Sequence, residues 1–146
     1  AMLGSLARWL RTLGCDVEYE RHISDGALIQ RALSEGRIVL TRDTLLAKRR
    51  ALSGRCFFVK GDHIEGQLRQ VVENFDLKGA VVLTRCLRCG RVLADVEKAS
   101  VKGLVPEYVL MTQKKFSRCP ACKRVYWGGT HRDKMLKELS RLLGGD

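Results

Sequence analysis

Four of the six cysteines form two C-x-x-C pairs, Cys86 with Cys89 and Cys119 with Cys122. Cysteines this close in sequence seldom form a structural disulfide with each other, whereas each pair fits two corners of a zinc tetrahedron. Gly90 follows the first pair, where the turn of a zinc knuckle requires unusual backbone angles. Because four thiolates leave no open coordination position, the pattern predicts a structural zinc ion. The alternative is a set of reduced cysteines without metal.

Three other residues carry metal-binding or reactive groups. His131 comes just before the last predicted helix, where a histidine packs or faces solvent as often as it binds metal, so it is not included in the zinc site. Cys15 and Cys56 lie in or beside apolar segments, and we predict that they are small core residues.

Three aspartates are candidates for a second, catalytic metal site. Asp43 follows an apolar segment at 37–40, Asp62 follows another at 55–59, and Asp25 begins a predicted helix. In an open parallel sheet, the loops at the carboxyl ends of the strands meet where ligands bind. Carboxylates that converge there repel each other until Mg²⁺ or Mn²⁺ binds, and such an ion can activate water for phosphodiester cleavage.

Each aspartate also has a purely structural interpretation. Asp25 could cap its helix, Asp43 could cap the helix that follows it and share that role with Thr41, and Asp62 could shape the turn at Gly61. The spacing alone does not decide between these roles and metal binding.

Basic residues surround Asp43. Arg42 could balance the neighbouring carboxylate or bind a substrate phosphate with its planar guanidinium. Lys48 and Arg49 belong to a basic run on the following predicted helix, and we consider them, with Arg42, as substrate-binding candidates. The alternative for the run is a solvated helix face.

The arrangement of apolar residues indicates an α/β domain at 1–78. Helical spacing or helix-ending glycines predict helices at 3–13, 24–36, 44–51 and 66–75. Apolar runs predict strands at 37–40 and 55–59, and an alternating pattern predicts a short strand at 15–19. Strands that alternate with helices through short loops predict a parallel sheet with helices on both faces.

Residues 79–146 show a different pattern. Apolar arms lead into and away from each C-x-x-C pair, which predicts a β-rich zinc ribbon with an insertion at 97–113. A basic amphipathic helix follows, and its predicted apolar face consists of Met135, Leu136, Leu139, Leu142 and Leu143.

The charge is unevenly distributed. The chain of 146 residues has 27 Lys or Arg and 16 Asp or Glu, a formal net charge of +11. Residues 1–78 carry 13 basic and 10 acidic side chains, whereas residues 79–146 carry 14 and 6. Four thiolates around one Zn²⁺ would lower the total to about +9. This asymmetry favours a polyanionic partner for the second half, although a solubility surface would have the same composition.

The composition also bears on location. A hydrophobic fraction of 45% is sufficient for a folded core. No apolar run approaches the ~20 residues of a membrane span, and no signal peptide opens the sequence. We therefore expect a soluble, cytoplasmic protein without a membrane partner.

Several motifs occur in an order that resembles the Mut-seven C-terminal RNase domain family. They are A-M-L-G-S-L-A-R-W-L-R-T-L-G-C-D-V, I-S-D, R-I-V-L-T-R-D, Q-L, the two C-x-x-C pairs and R-V-Y-W-G-G-T-H. The resemblance implies a PIN-like nuclease fold with a zinc ribbon, and metal-dependent cleavage of RNA. By motif position, Asp25 and Asp43 correspond to the family's acids and the four cysteines to its zinc ligands. Asp62 matches a looser part of the pattern.

The sequence departs from this family pattern at its start. Family members usually begin with an apolar strand that ends in an aspartate directly before A-M-L-G, whereas the first residue here is Ala1. That aspartate is a principal metal ligand of a PIN-like site. Either the protein has residues upstream of Ala1, or it is a truncated form. We expect a chain without this first strand and its aspartate to bind the catalytic ion weakly and to cleave poorly.

Two functions are compatible with these features. The leading hypothesis is a metal-dependent ribonuclease that uses Asp25, Asp43 and Asp62. The alternative is a non-catalytic nucleic-acid-binding module that recruits a nuclease or a ribosome, with Tyr126 and Trp127 stacking on bases rather than filling the ribbon core. A toxin role like that of many PIN proteins is a third hypothesis, but the sequence identifies no segment for a protein partner.

Overall fold

The computed structural model describes residues 3–77 and 83–144, with the side chains of Thr130 and His131 excluded. His131 as a candidate group, and the domain boundary predicted between 78 and 79, therefore lie outside what is described. The chain separates into two units. The first consists of Ala1–Ala7 and Tyr19–Lys78, and the second of Arg8–Glu18 and Gly79–Asp146.

The first unit is built around two parallel strands. Its elements are the start of α1 (Gly4–Thr12), α2 (Asp25–Glu35), β1 (Val39–Thr41), α3 (Thr44–Ala47), a 3₁₀ turn (Arg50–Leu52), β2 (Cys56–Phe58) and α4 (Ile64–Asn74). Val39 lies opposite Cys56 and Thr41 opposite Phe58 in parallel register. The structure thus confirms the α/β class and the parallel sheet.

A small apolar core positions these strands. Four side chains are buried in one cluster, and three more pack against it. The buried members are Ala32, Val39, Leu46 and Leu52, and the partly buried ones are Leu28, Ile29 and Cys56. Helix α2, strand β1 and helix α3 all contribute to this cluster, so burial of the apolar residues fixes where β1 ends and where its polar continuation begins. Cys56 packs against the core, as predicted.

Two predicted elements of the first 78 residues are wrong. The helix expected at 44–51 ends after Ala47 and is followed by the separate 3₁₀ turn. The strand expected at 15–19 does not form. The carbonyl oxygen of Val17 instead accepts hydrogen bonds from the side chain of Arg11, at 3.0 Å from Nε and 2.8 Å from Nη2. A buried guanidinium therefore takes the place of a neighbouring strand.

The second unit contains an antiparallel sheet of three strands. Its described elements are β3 (Ala94–Val96), a 3₁₀ turn (Lys98–Val101), α5 (Glu107–Thr112), β4 (Phe116–Arg118), β5 (Val125–Trp127) and α6 (Thr130–Leu142). The strand order is β3-β4-β5. Together with the isolated bridge between Arg85 and Val92, this sheet holds the two C-x-x-C turns, so the predicted β-rich ribbon is confirmed.

The insertion and the last helix contribute apolar residues. Val101 and Val109, from the insertion, are buried with Phe116 of β4 in one cluster. In α6, Leu139 and Leu142 are buried, which agrees with the predicted apolar face. Among the described residues, none of the helices is long and apolar enough to traverse a bilayer.

Candidate functional site

The four C-x-x-C cysteines converge on one point of the second unit. Their Sγ atoms all lie within 4.8 Å of one another, and Cys86 and Cys119 are buried while Cys89 and Cys122 are partly exposed. In a tetrahedron with Zn–S bonds of about 2.3 Å, each S–S edge is about 3.8 Å. The Sγ atoms of Cys86 and Cys122 are 3.7 Å apart. The set therefore fits a zinc ion with four thiolate ligands.

The two cysteine turns have the same backbone geometry. In the first, the N–H of Gly90 donates to the carbonyl of Cys86 at 2.8 Å, and in the second the N–H of Lys123 donates to the carbonyl of Cys119 at 3.0 Å. Both turning residues have positive φ angles, 77° for Gly90 and 68° for Lys123. The first turn follows the expected glycine preference, whereas the second puts a lysine in the left-handed region.

Hydrogen bonds to sulfur pre-orient the ligands. The backbone N–H of Cys89 donates to Cys86 Sγ at 3.3 Å, and that of Cys122 donates to Cys119 Sγ at 3.4 Å. The hydroxyl of Tyr126 also contacts Cys86 Sγ at 3.1 Å. Hydrogen bonds of this kind stabilise thiolates and fix the direction of the ligand atom.

The thiols have opposed acidities in the absence of metal. Burial raises the pKa of Cys86, but hydrogen bonds from Tyr126 and from the backbone of Cys89 and Arg88 outweigh it and bring the pKa to about 6. The hydrogen bond with Cys122, burial and the neighbouring thiolates raise the pKa of Cys89 to about 12. Metal binding requires all four thiols to be deprotonated, and the resulting thiolates repel one another. A divalent cation among the four sulfurs would offset this repulsion.

Two arginines that the sequence patterns did not reveal brace the first turn. Arg11 is buried, and its Nη1 donates to the carbonyls of Leu87 at 3.2 Å and Arg88 at 2.8 Å, which lie between Cys86 and Cys89. Arg85 donates to the carbonyls of Gly14 at 2.9 Å and Gly90 at 2.8 Å. A weak signal for Arg11 does exist in the sequence, because it follows the buried Ala7 by four residues and thus extends the buried side of α1.

The carboxyl ends of β1 and β2 bring Asp43 and Asp62 to one edge of the parallel sheet. Asp43 Oδ1 accepts hydrogen bonds from the N–H groups of Leu45 at 2.9 Å and Leu46 at 3.2 Å, so the carboxylate caps α3. Thr41 Oγ1 accepts from the Asp43 N–H at 3.0 Å. Asp43 Oδ2 has no hydrogen-bond partner within residues 3–77 and 83–144.

Asp62 pairs with a predicted substrate-binding residue. Arg42 Nη2 lies 2.5 Å from Asp62 Oδ1, with 24% of the Arg42 side chain and 81% of the Asp62 side chain exposed. Asp25 is exposed at the first position of α2, where Ser24 supplies the capping oxygen. Lys48 and Arg49 are exposed just after α3 rather than within a longer helix.

The three aspartates do not form a cluster like that of the cysteines. In the part of the chain that is described, the four cysteines are the only group of three or more His, Cys, Asp or Glu ligands near enough to share an ion. The structure therefore brings Asp62 to Arg42 and gives Asp43 a cap, but does not gather Asp25, Asp43 and Asp62 around one point. Their role as a catalytic site remains a prediction.

These features define a mixed α/β protein with a four-cysteine site of the zinc-ribbon type. The Mut7-C RNAse domain family model matches residues 1–139, so the chain belongs to this family. Neither the curated proteins nor the solved structures contain a match to the chain.

Proposed function

We propose that the protein is a metal-dependent ribonuclease whose acidic site lies at the carboxyl edge of the parallel sheet. The observation that carries the proposal is the placement of Asp43 and Asp62 after paired parallel strands in a chain of the Mut7-C RNAse domain family. The carboxyl edge of such a sheet is where α/β proteins bind ligands. The proposed metal ligands are Asp25, Asp43 and Asp62.

Bound Mg²⁺ or Mn²⁺ would supply an activated water for attack on phosphorus and would stabilise the leaving oxygen. Asp43 would contribute Oδ2, because Oδ1 is occupied by the cap of α3. The cap also restricts the carboxylate to one orientation, which favours a defined ligand position. Asp25, exposed at the start of α2, would contribute a second carboxylate from the same unit.

Arg42 would change partner when RNA binds. In the free protein its guanidinium pairs with Asp62, which is mostly exposed. A phosphate can accept two parallel hydrogen bonds from the same guanidinium, so RNA can displace the carboxylate. Asp62 would then be released toward the metal site. Lys48 and Arg49 would bind neighbouring phosphates.

The second unit would assist RNA binding, with the zinc ion in a structural role. Its four sulfur ligands leave no position for water or substrate, so no catalytic step uses this metal. Reduced C-x-x-C pairs also fit the reducing cytoplasm, which is the proposed location.

The test is cleavage of a labelled mixed-sequence RNA with and without Mn²⁺ or Mg²⁺. Asp43→Asn keeps an oxygen that can cap α3 but removes the charge, so the expected result is a loss of at least about 100-fold in rate without loss of folding. Glu73→Gln removes an exposed carboxylate of α4 and is the matched control. The same comparison should be made in a chain extended upstream of Ala1 by the strand and aspartate that the family resemblance implies.

The second candidate is RNA binding without catalysis. It is favoured by the observation that the three aspartates do not form an ion-binding cluster in the described residues. Metal-independent, salt-sensitive RNA binding, with no cleavage by either the given or the extended chain, would select it. Cleavage that is equally fast in Asp43→Asn would show that the proposed acidic site is wrong.

A further inference from the structure

A cavity on the second unit is lined by three arginines. Its volume is about 320 Å³, and its walls are Arg8, Leu87, Arg88, Arg124 and Tyr126. We propose that it binds one nucleotide of single-stranded RNA, with the guanidinium groups on the phosphates and the Tyr126 ring on the base. The inference deepens the proposed function and rests on its RNA-binding part.

The hydrogen bonds of the arginines support an anionic ligand. The side chains of Arg8, Arg88 and Arg124 are exposed, and none donates to a carboxylate or carbonyl within the described ranges. By contrast, the guanidinium groups of Arg11 and Arg85 are engaged with backbone carbonyls. Three like charges around one cavity that has no acidic wall repel one another, and a phosphate relieves this repulsion.

The zinc turns hold two of these arginines in place. Arg88 lies between the first two cysteine ligands, and its carbonyl accepts a hydrogen bond from Arg11 at 2.8 Å. Arg124 comes two residues after Cys122, and its carbonyl accepts the N–H of Cys119 at 2.9 Å. The backbone at both arginines is therefore fixed by the turns that the zinc ion joins, so the site is organised before a ligand arrives. This reduces the ordering cost of binding.

Tyr126 can offer its ring but not its hydroxyl. The hydroxyl contacts Cys86 Sγ at 3.1 Å and accepts the N–H of Leu87 at 3.2 Å, so both interactions hold the phenol in one orientation. The ring and the Leu87 side chain then form the apolar part of the wall. Bases of any identity stack on such a surface. The volume lies at the small end of the ~300–1,000 Å³ range of ligand sites, which suits a single nucleotide.

The test is fluorescence anisotropy of a short, labelled, single-stranded RNA against the zinc-loaded full chain, without Mg²⁺ or Mn²⁺. The altered protein carries Arg8→Gln, Arg88→Gln and Arg124→Gln. A control with the same charge loss carries Lys98→Gln, Lys102→Gln and Lys137→Gln, which are exposed residues of the same unit outside the cavity.

The arginine variant should bind at least about tenfold more weakly. Its slope of log K against log salt should be lower by about 1.4, since one nucleotide in a strand is flanked by two phosphates and each neutralised phosphate contributes ~0.7. The lysine control should change both quantities much less. Equal losses in both proteins would overturn the proposal, because they would indicate a diffuse charge effect. Zinc content and melting temperature check folding. If the triple variant is unstable, the three single variants test the same point, and each is expected to lower the slope by at most about 0.7.

Competition distinguishes a nucleotide from a free phosphate ion. Adenosine monophosphate should displace the RNA at a lower concentration than inorganic phosphate does, because only the nucleotide can stack on Tyr126. Equal competition by the two would overturn the nucleotide assignment. A duplex RNA that binds as tightly as the single strand would also overturn it, since paired bases are not available for stacking.

Failure of this inference can be separated from failure of the nuclease proposal. Glu73→Gln alters an exposed residue of the first unit outside the proposed acidic site, and it should bind the RNA as tightly as the unaltered chain. If the arginine variant binds RNA normally while Asp43→Asn abolishes cleavage, the proposal of a nucleotide-binding cavity is wrong and the nuclease proposal is supported. If the arginine variant loses binding and no version cleaves RNA, the pocket is supported and the nuclease is wrong.

Discussion

Replacement of Arg11 by lysine should weaken the zinc unit more than its conservative chemistry suggests. The Arg11 side chain is only 6% exposed, and it makes four hydrogen bonds to the three carbonyls of Val17, Leu87 and Arg88. One side of the guanidinium contacts the loop after α1, and the other contacts the first cysteine turn. The compact ammonium group of lysine cannot reach both the loop after α1 and the first cysteine turn, as the planar guanidinium does.

The magnitude follows from the carbonyls that lose their partner. If the lysine keeps the contact with Val17, then Leu87 and Arg88 each lose a charge-assisted hydrogen bond, and such a bond contributes about 1.5–3 kcal/mol. We therefore expect the free energy of unfolding to fall by about 3 kcal/mol in Arg11→Lys. For a unit of fewer than 100 residues, this corresponds to a decrease of roughly 12–24 °C in melting temperature.

The assay combines thermal unfolding of the zinc-loaded chain with competition for zinc by a coloured chelator. Weaker folding of the first turn should also lower zinc affinity, because metal binding and folding of such units are coupled. Arg8→Lys is the matched control, since Arg8 lies three residues earlier on α1 and its exposed side chain has no hydrogen-bond partner among the described residues. The reasoning is refuted if Arg11→Lys melts within about 2 °C of the control, or if zinc affinity is unchanged.

Three further predictions concern single groups. Tyr126→Phe removes the hydroxyl that contacts Cys86 Sγ, and zinc affinity measured by chelator competition should fall about tenfold or more. Gly90→Ala should lower the melting temperature and zinc affinity, because its φ is 77° and an added Cβ would lie 2.7 Å from the Val17 carbonyl oxygen. Burial raises the pKa of Cys56, so less thiolate is present at pH 7–8, and iodoacetamide should react with it more slowly in the folded than in the denatured chain.

Each of these predictions has a clear contrary result. Unchanged zinc affinity in Tyr126→Phe would mean that the hydroxyl does not act on the sulfur, and Tyr108→Phe provides a control at an exposed tyrosine. Gly90→Ala should be compared with Gly103→Ala, which also has a positive φ but an open Cβ position, and an equal effect would rule out the close approach as the cause. Equal alkylation rates for Cys56 in folded and denatured protein would contradict its protection by the core.

The four-cysteine site could be predicted from sequence because the pattern that defines it is local. Two residues separate the cysteines within each pair, so backbone geometry brings each pair together before any tertiary contact is considered. The only long-range requirement is that the two turns meet. Strands β4 and β5, which flank the second turn, pair antiparallel with Phe116 opposite Trp127, and the bridge between Arg85 and Val92 closes the first.

The positions of Asp43 and Asp62 at the carboxyl edge of the parallel sheet could be predicted only in part. Alternating helices and strands predicted that β1 and β2 are parallel, and this is sufficient to place the positions after both strands at one edge. Where the carboxylates then point depends on loop contacts that no spacing encodes. Asp43 Oδ1 accepts a hydrogen bond from the first turn of α3, and Asp62 forms an ion pair with Arg42. The sequence thus predicts the neighbourhood of these aspartates but not a shared point of coordination.

The net charge of a sequence does not distinguish arginines that stabilise the fold from arginines that are available to a ligand. The formal net charge of +11 counts every arginine equally, yet the structure distinguishes the arginines of the second unit by their hydrogen bonds. Arg11 and Arg85 are engaged with backbone carbonyls and serve the fold. Arg8, Arg88 and Arg124 line a cavity without such acceptors in the described residues. A guanidinium that donates to carbonyls cannot also bind a phosphate with the same N–H groups, so of these five arginines only Arg8, Arg88 and Arg124 have N–H groups available for the proposed RNA ligand. The salt dependence of RNA binding should therefore follow the arginines of the cavity and not the total charge of the unit.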